Sequence, residues 1–389
     1  MAGEASPVEA LLAAKEIVVV CGSGGVGKTS TAAALATMAA ADLGAKVLVL
    51  TVDPARRLAD AMGLGALGNT ETRVSAAAFA EADLEPRGEL WAAMLDTKQS
   101  WDELIHRHAP DARTRDAILA NPLYRNVAGK FVHSHDYIAM ERLYELHASG
   151  AYDLIVVDTP PTRHAIDFLE APERMADFFS SRLLRWLLVP YRSRLVNAAS
   201  RPFYQIADRA LGSAFLADIA EFFILFQSMY DGFVERARAV ERVLEDRRTT
   251  FVVVTTLEAS PAYEAGRFVE VLRAKRLHLG AVVLNRVLPV ELLDHESTEA
   301  ARVLSASAGE LADILGEALD DPLGPPEVVA RVLGELGESY LNFQVVAKRE
   351  AEQRAELALG AGVVATVPAF ETDIFDLAGL ARLADALRR

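Results

Sequence analysis

The chain has 389 residues, about half of them hydrophobic and 24% charged, which supplies a large core and excludes wholesale disorder. Its 55 acidic and 40 basic residues leave a net charge of −15, which excludes a general nucleic-acid or anionic-membrane surface, so any phosphate must meet a local positive pocket. The single cysteine, Cys21, excludes an internal disulfide and a CxxC zinc site, and its place at a strand end predicts a small buried residue.

The opening segment MAGEASPVEALLAAKE has no basic start before an apolar stretch, which predicts no secretory signal. No run approaches the ~18 apolar residues of a membrane span, so no stable membrane insertion and a cytoplasmic location are expected. The stretch Ile17–Ser30, IVVVCGSGGVGKTS, then dominates the chain. Its β-branched residues predict a buried strand, the glycines a turn, and the alanine-rich Thr31–Leu43 a helix. Gly22, Gly27, Lys28 and Thr29 satisfy G-x-x-x-x-G-K-[ST], so the stretch Gly22, Ser23, Gly24, Gly25, Val26, Gly27, Lys28, Thr29, Ser30 predicts a nucleotide phosphate site. Glycines let backbone N–H groups curl around phosphate oxygens at a helix N-terminus. Lys28 is expected to reach the β/γ-phosphates, and the Thr29 hydroxyl to ligate Mg²⁺.

Val47–Val52 predicts a second buried strand ending at Asp53, where open α/β sheets bind ligands. Asp53 is a candidate for orienting the attacking water or holding Mg²⁺ through its hydration shell; it also suits the N-cap of a helix starting at Pro54. Arg56 and Arg57 face either phosphate or solvent. Gly63–Pro86 carries no clear pattern. Leu90–Leu95 predicts a third strand, followed by a helix over Lys98–Arg107 capped by Thr97 and stopped by Pro110. Helical patterning runs from Asp111 to Ser149, interrupted at Pro122 and Gly129. The pairs His106/His108 and His133/His135 are spaced by two, which does not suit metal chelation from a helix.

Leu154–Val157 predicts the next strand, and Asp158 at its end is placed to support Mg²⁺ from outside its inner shell. Between Asp167 and Arg248 only helices are predicted, at Leu183–Val189, Phe215–Met229 and Phe233–Leu244. Phe222–Phe226 shows no polar face, so it is either buried in a helical core or meets another apolar surface such as a subunit interface. Phe251–Thr256 and Gly280–Leu284 resume the sheet around a helix over Glu258–Arg273. Glu291–Gly337 reads as an acidic helical stretch broken at Pro322/Pro325/Pro326, Glu338–Leu359 as one long helix, and Val363–Val367 as the last strand. Seven strands alternating with helices predict an α/β, doubly wound, mostly parallel sheet. One domain over residues 1–389 is expected, with a helical subdomain from about 97–150 and 167–248.

The loop Gly24–Thr29 resembles the deviant Walker A motif of the dimerising ATPases that include MinD, ParA, nitrogenase iron protein and the arsenite-pump ATPase. Val52-Asp53-Pro54-Ala55 and Asp158-Thr159-x-Pro161-Thr162-x-His164 narrow the resemblance to the arsenite-pump and tail-anchored-protein targeting ATPases. That resemblance implies ATP and Mg²⁺, Asp53 as the switch I catalytic aspartate, and Asp158–His164 as switch II. It implies adenine contacts from Asn285 and its neighbour Arg286, and from the loop of Pro368 and Phe370. Without the resemblance, Asn285 reads as a turn residue, and Phe370 suits core packing as well as a base. It further implies a partner, either a second copy or a paralogue, and an apolar or membrane-protein client held by the helical part. Two departures stand out. Ser23 occupies the position of the family's cross-subunit lysine, and Arg163 that of a switch II glycine. Arg163 is therefore the candidate replacement cation, with Arg56 and Arg57 behind it. A metalloid site built on cysteines is excluded by the single Cys21. The competing reading is a low-turnover ATP-binding regulatory or scaffold subunit.

Overall fold

The computed structural model describes residues 5–52, 57–65, 67–127, 134–160, 169–171, 173–174, 177, 221–319, 324–358 and 361–389. Its strands are β1 (Ile17–Gly22), β2 (Lys46–Thr51), β3 (Thr72–Arg73), β4 (Glu89–Met94), β5 (Leu154–Asp158), β6 (Thr249–Thr255), β7 (Leu279–Val287) and β8 (Val363–Pro368). They form one sheet ordered β3-β4-β2-β5-β1-β6-β7-β8. All pairings are parallel except β3 with β4, so the expected doubly wound α/β sheet is present. The eighth strand is the two-residue β3, in the stretch where the sequence shows no pattern; two residues are too few for a period.

Helices α1 (Pro7–Ala13), α2 (Lys28–Ala41), α3 (Arg57–Ala61), α4 (Ala76–Glu81), α5 (Thr97–His108), α6 (Ala112–Ala120), α7 (Pro122–Val127) and α8 (Ser134–Ala148) precede β5 or lie between earlier strands. After a helical segment at 221–227 come α9 (Tyr230–Glu245), α10 (Ala259–Ala274), α11 (His295–Ala306), α12 (Ala308–Ala318), α13 (Pro326–Ala358) and α14 (Leu377–Arg388). Successive β1 residues alternate between two cores: Ile17, Val19 and Cys21 face one, Val18 and Val20 the other. Burial on both faces is why the parallel strands read as unbroken apolar runs. The first core is completed by α5, α8, α9 and α10, and the second by α1, α2 and α14. Helix α2 is buried around most of its circumference, which its alanines permit at close range. No described helix is long and apolar enough to cross a membrane.

Three boundaries differ from the sequence reading. Asp96, not Thr97, caps α5: its carboxylate accepts from the Gln99 N–H at 2.8 Å, and Thr97 is already helical. The long helix starts at Pro326 rather than Glu338, because proline at the first helical positions lacks only an N–H that would have no helical partner. The last break in the preceding acidic stretch therefore lies just before Pro326, with another at Ser307 between α11 and α12. Leu183–Val189 lies outside the described residues.

Phe222–Phe226 belongs mostly to the first core. Phe226 stacks on Phe233 with centroids 5.1 Å apart, Trp101 stacks on Tyr137 at 6.1 Å, and Phe222 stacks on Tyr124 at 6.4 Å. Phe223 is also buried, and Ile224 is the exposed member of the run. Below these rings lies a buried polar group: the Tyr137 hydroxyl donates to Glu141 at 2.8 Å, and Arg236 Nε sits 2.5 Å from the same carboxylate. Burial raises the Glu141 pKa despite Arg236. His108 lies against Glu141 and Glu145, but those carboxylates are engaged by Arg236 and by Arg107 and Arg142. Burial, then Arg236 and Arg107, lower the His108 pKa to about 4.

His108 therefore stays neutral in the fold while the unfolded chain takes up a proton near pH 6.5. Between that pH and about 4 the unfolded state binds more protons, so His108 removes stability as pH falls. Glu141, with its raised pKa, acts in the opposite direction, so the comparison is between chains that both retain it. His108→Gln is expected to lose less stability than the unmodified chain between pH 7 and pH 5, measured by urea midpoints. Parallel midpoint curves for the two proteins would contradict it.

Candidate functional site

The parallel register fixes the site. Val20 of β1 and Thr51 of β2 both align with Asp158 at the end of β5, and Gly22 aligns with Val254 of β6. The turn after β1 thus leaves the middle of the sheet between the ends of β5 and β6, at the carboxyl edge where such sheets bind ligands. Glycine is required at two points of the turn. A Cβ on Gly22 would lie 2.1 Å from the Val254 carbonyl oxygen. Gly27, at φ 95°, is in the left-handed region, and a Cβ there would lie 2.4 Å from Asn285 Nδ2. Gly27 ends the turn and α2 begins at Lys28, so the first amides of the helix point into the turn.

Lys28 is buried, and its Nζ donates to the Ser23 carbonyl at 2.9 Å. The Thr29 hydroxyl donates to Asp158 Oδ2 at 2.7 Å, and Thr51 donates to the same oxygen at 3.1 Å. Asp158 is fully buried, and its hydrogen bond from Thr29 places this carboxylate beneath the start of α2. Thr159 locks the following residue, its hydroxyl and N–H both donating to the Val20 carbonyl. A threonine hydroxyl beside a carboxylate is a hard oxygen donor set, which fits Mg²⁺. Cys21 is buried just below, and loss of solvent raises its thiol pKa to about 12. It is the inert strand residue expected, since only the thiolate reacts.

A cavity of about 870 Å³ opens over the turn. It brings together Gly24, Gly25, Gly27, Lys28, Thr29 and Ser30 with Asn285 and Arg286, which lie inside β7 at its register irregularity rather than after the strand as expected, and with Pro368 and Phe370 at the end of β8. Gly22, Ser23 and Val26 support the turn from behind and do not line the cavity. Phe370 does both things the sequence allowed: it lines the cavity and packs against the second core. Asn285 is engaged with the turn itself, its Nδ2 donating to the Val26 carbonyl at 2.8 Å and its Oδ1 accepting from the Arg286 N–H at 3.0 Å. Asp53, Arg56 and Arg163 lie outside the described residues, as do Pro161, Thr162 and His164, and so does the side chain of Arg57.

The structure adds residues that the sequence reading missed. Thr51 shares Asp158 with Thr29; a hydroxyl ending an adjacent strand at the level of an acidic strand end was the available signal. Ile374 and Phe375 line the cavity from the loop beyond Phe370, and Leu58 and Ala61 from α3. Ser23 donates to Glu264 of α10 at 2.7 Å, a contact across 241 residues with no local signature.

Comparison with known proteins agrees with this geometry. Residues 15–307 match the model of the family described as anion-transporting ATPase. "ATPase ASNA1 homolog 1" of Paramecium tetraurelia is 27% identical over 274 residues, which cover 70% of this chain and 74% of that protein. "ATPase GET3" of Malassezia globosa is 26% identical over 267 residues, covering 69% and 71%. "Putative arsenical pump-driving ATPase 2" of Aquifex aeolicus is 25% identical over 281 residues, covering 69% and 79%. With the family model spanning most of its length and the glycine-rich turn within that span, this chain belongs to the anion-transporting ATPase family.

Proposed function

We propose that this chain binds ATP with Mg²⁺ in the cavity over the turn and hydrolyses it to ADP and phosphate. The observation that carries the reading is the convergence on that cavity of the turn residues, Lys28, Thr29 and the carboxyl ends of β7 and β8, drawn from three distant parts of the chain. The amides of Gly24–Thr29 and the α2 N-terminus supply fixed partial positive charge to the phosphates. Lys28 exchanges the Ser23 carbonyl for a phosphate oxygen, a move within reach because its present partner belongs to the same turn. Thr29 and, behind its hydroxyl, Asp158 would hold Mg²⁺, which would neutralise charge on the phosphates. Asp53 positions the attacking water, and Asn285, Arg286, Pro368 and Phe370 bound the base. In an acidic chain this local cluster of donors is what draws a polyphosphate.

The turnover is coupled to conformational change in a dimer with a second copy or a paralogue, and the subdomain expected from about 97–150 and 167–248 passes it to an apolar or membrane-protein client in the cytoplasm. The packing of Phe222, Phe223 and Phe226 into the core supports assigning the client to other helical surfaces. A second reading, a slow ATP-binding scaffold, is favoured by one observation. Ser23 contributes a neutral hydroxyl, already given to Glu264, where a dimerising relative carries a cation. Arg163 is the proposed substitute.

Phosphate release by the purified chain tests the function. Lys28→Ala is expected to bring release to background, and Thr29→Ala to raise the Mg²⁺ concentration that gives half-maximal rate. Full release from Lys28→Ala would contradict the site. Asp53→Asn is expected to retain nucleotide and lower kcat by about 10²–10³-fold, the scale of losing one positioned transition-state group. An unchanged kcat would remove Asp53 from its role. Arg163→Ala separates the two readings: a large loss of kcat at unchanged ATP affinity supports the substitute cation, and no loss supports the scaffold.

A further inference from the structure

We infer that Glu264 of α10 is a positioning residue for the phosphate-binding turn, acting through Ser23. The inference rests on the nucleotide reading above and names how this chain holds that site in shape. Ser23 is nearly buried and engaged at both ends. Its hydroxyl donates outward to Glu264 Oε2 at 2.7 Å, and its carbonyl accepts inward from Lys28 Nζ at 2.9 Å. The other foot of the turn is held as well, where Asn285 Nδ2 donates to the Val26 carbonyl at 2.8 Å. Between the two feet, Gly24 and Gly25 have open space where a Cβ would stand. The turn is therefore clamped at Ser23 and Val26, with a bare crest whose amides are left for phosphate.

The chemistry of the Ser23 clamp is specific. A hydroxyl donating to a carboxylate makes a charge-assisted hydrogen bond, stronger than one to a neutral acceptor. It fixes the orientation of the peptide whose carbonyl holds Lys28, so the ammonium waits at a set distance from the crest. For phosphate affinity alone, a carboxylate this close to the turn is a poor choice, because its charge repels the ligand. The 2.7 Å contact fits a role in holding the turn, with the repulsion outweighed by a backbone already shaped for nucleotide, so that only the Lys28 side chain has to move. Glu264 touches no reacting atom in this scheme.

The test is the affinity of the full chain for Mg·ADP by calorimetry, together with kcat and KM for ATP. Ser23→Ala and Glu264→Ala are each expected to weaken nucleotide binding and raise KM about tenfold, the scale of one hydrogen bond to a charged group, while kcat stays within about twofold. The double variant is expected to be no weaker than either single one, because both remove the same contact. Glu264→Gln keeps an acceptor oxygen and is expected to recover most of the affinity lost in Glu264→Ala. Unmodified affinity in Glu264→Ala would overturn the inference, as would single effects that multiply to about a hundredfold in the double variant. If Glu264→Ala does not fold, judged by its thermal midpoint, Ser23→Ala removes a single oxygen and decides alone. Lys28→Ala separates the failures. If it too binds nucleotide normally, the nucleotide reading is wrong; if it loses binding while Glu264→Ala does not, only the clamp is wrong.

Discussion

The site depends on the parallel register of β5 between β1 and β2, which sets Asp158 level with Val20 and Thr51. Shifting β5 by one residue would turn that carboxylate to the opposite face of the sheet. In the observed register it lies fully buried under the turn, where the Thr29 and Thr51 hydroxyls both donate to its Oδ2. Burying a carboxylate is costly without hydrogen bonds, so those two hydroxyls are a condition of the fold. The same edge places β6 on the other side, whose Val254 carbonyl leaves no room for a Cβ at Gly22. Strand register, glycine and buried charge thus specify one geometry together.

Charge is handled locally throughout. The chain is strongly acidic, yet its cavity presents a buried ammonium and a helix N-terminus. In the helical layer, Glu141, Arg236 and Tyr137 form a buried polar group beneath stacked aromatics, and His108 is kept neutral beside it. A pair of this kind gains little net stability over apolar packing, but removing one partner strands the other. The layer over the first core is for that reason specified by polar partners as well as by shape.

Much of the sheet was legible because parallel strands buried on both faces leave continuous apolar runs, as in Ile17–Val20 and Val47–Leu50. The turn was legible for a different reason: Gly22, Gly27, Lys28 and Thr29 are a local spacing with a direct chemical meaning. Asn285 and Phe370 could be linked to that turn only through family resemblance, since nothing near them in the chain signals a ligand. The structure puts both on the cavity, but finds the Asn285 amide clamping Val26. Glu264 was illegible, because its partner is 241 residues away and a helix glutamate ordinarily faces water. The start of α13 was misread because prolines that interrupt a helix and prolines that begin one look alike without the structure.

The central claim is that the turn after β1 is held ready at its feet and that Lys28 is the part that moves. A crystal structure of the full chain with Mg²⁺ and a non-hydrolysable ATP analogue tests it most directly. The expected result is the β-phosphate against the amides of Gly24–Thr29, Lys28 Nζ transferred from the Ser23 carbonyl to phosphate, and the Ser23–Glu264 hydrogen bond intact. An analogue bound elsewhere, or bound at the turn with Lys28 still on the Ser23 carbonyl, would contradict it.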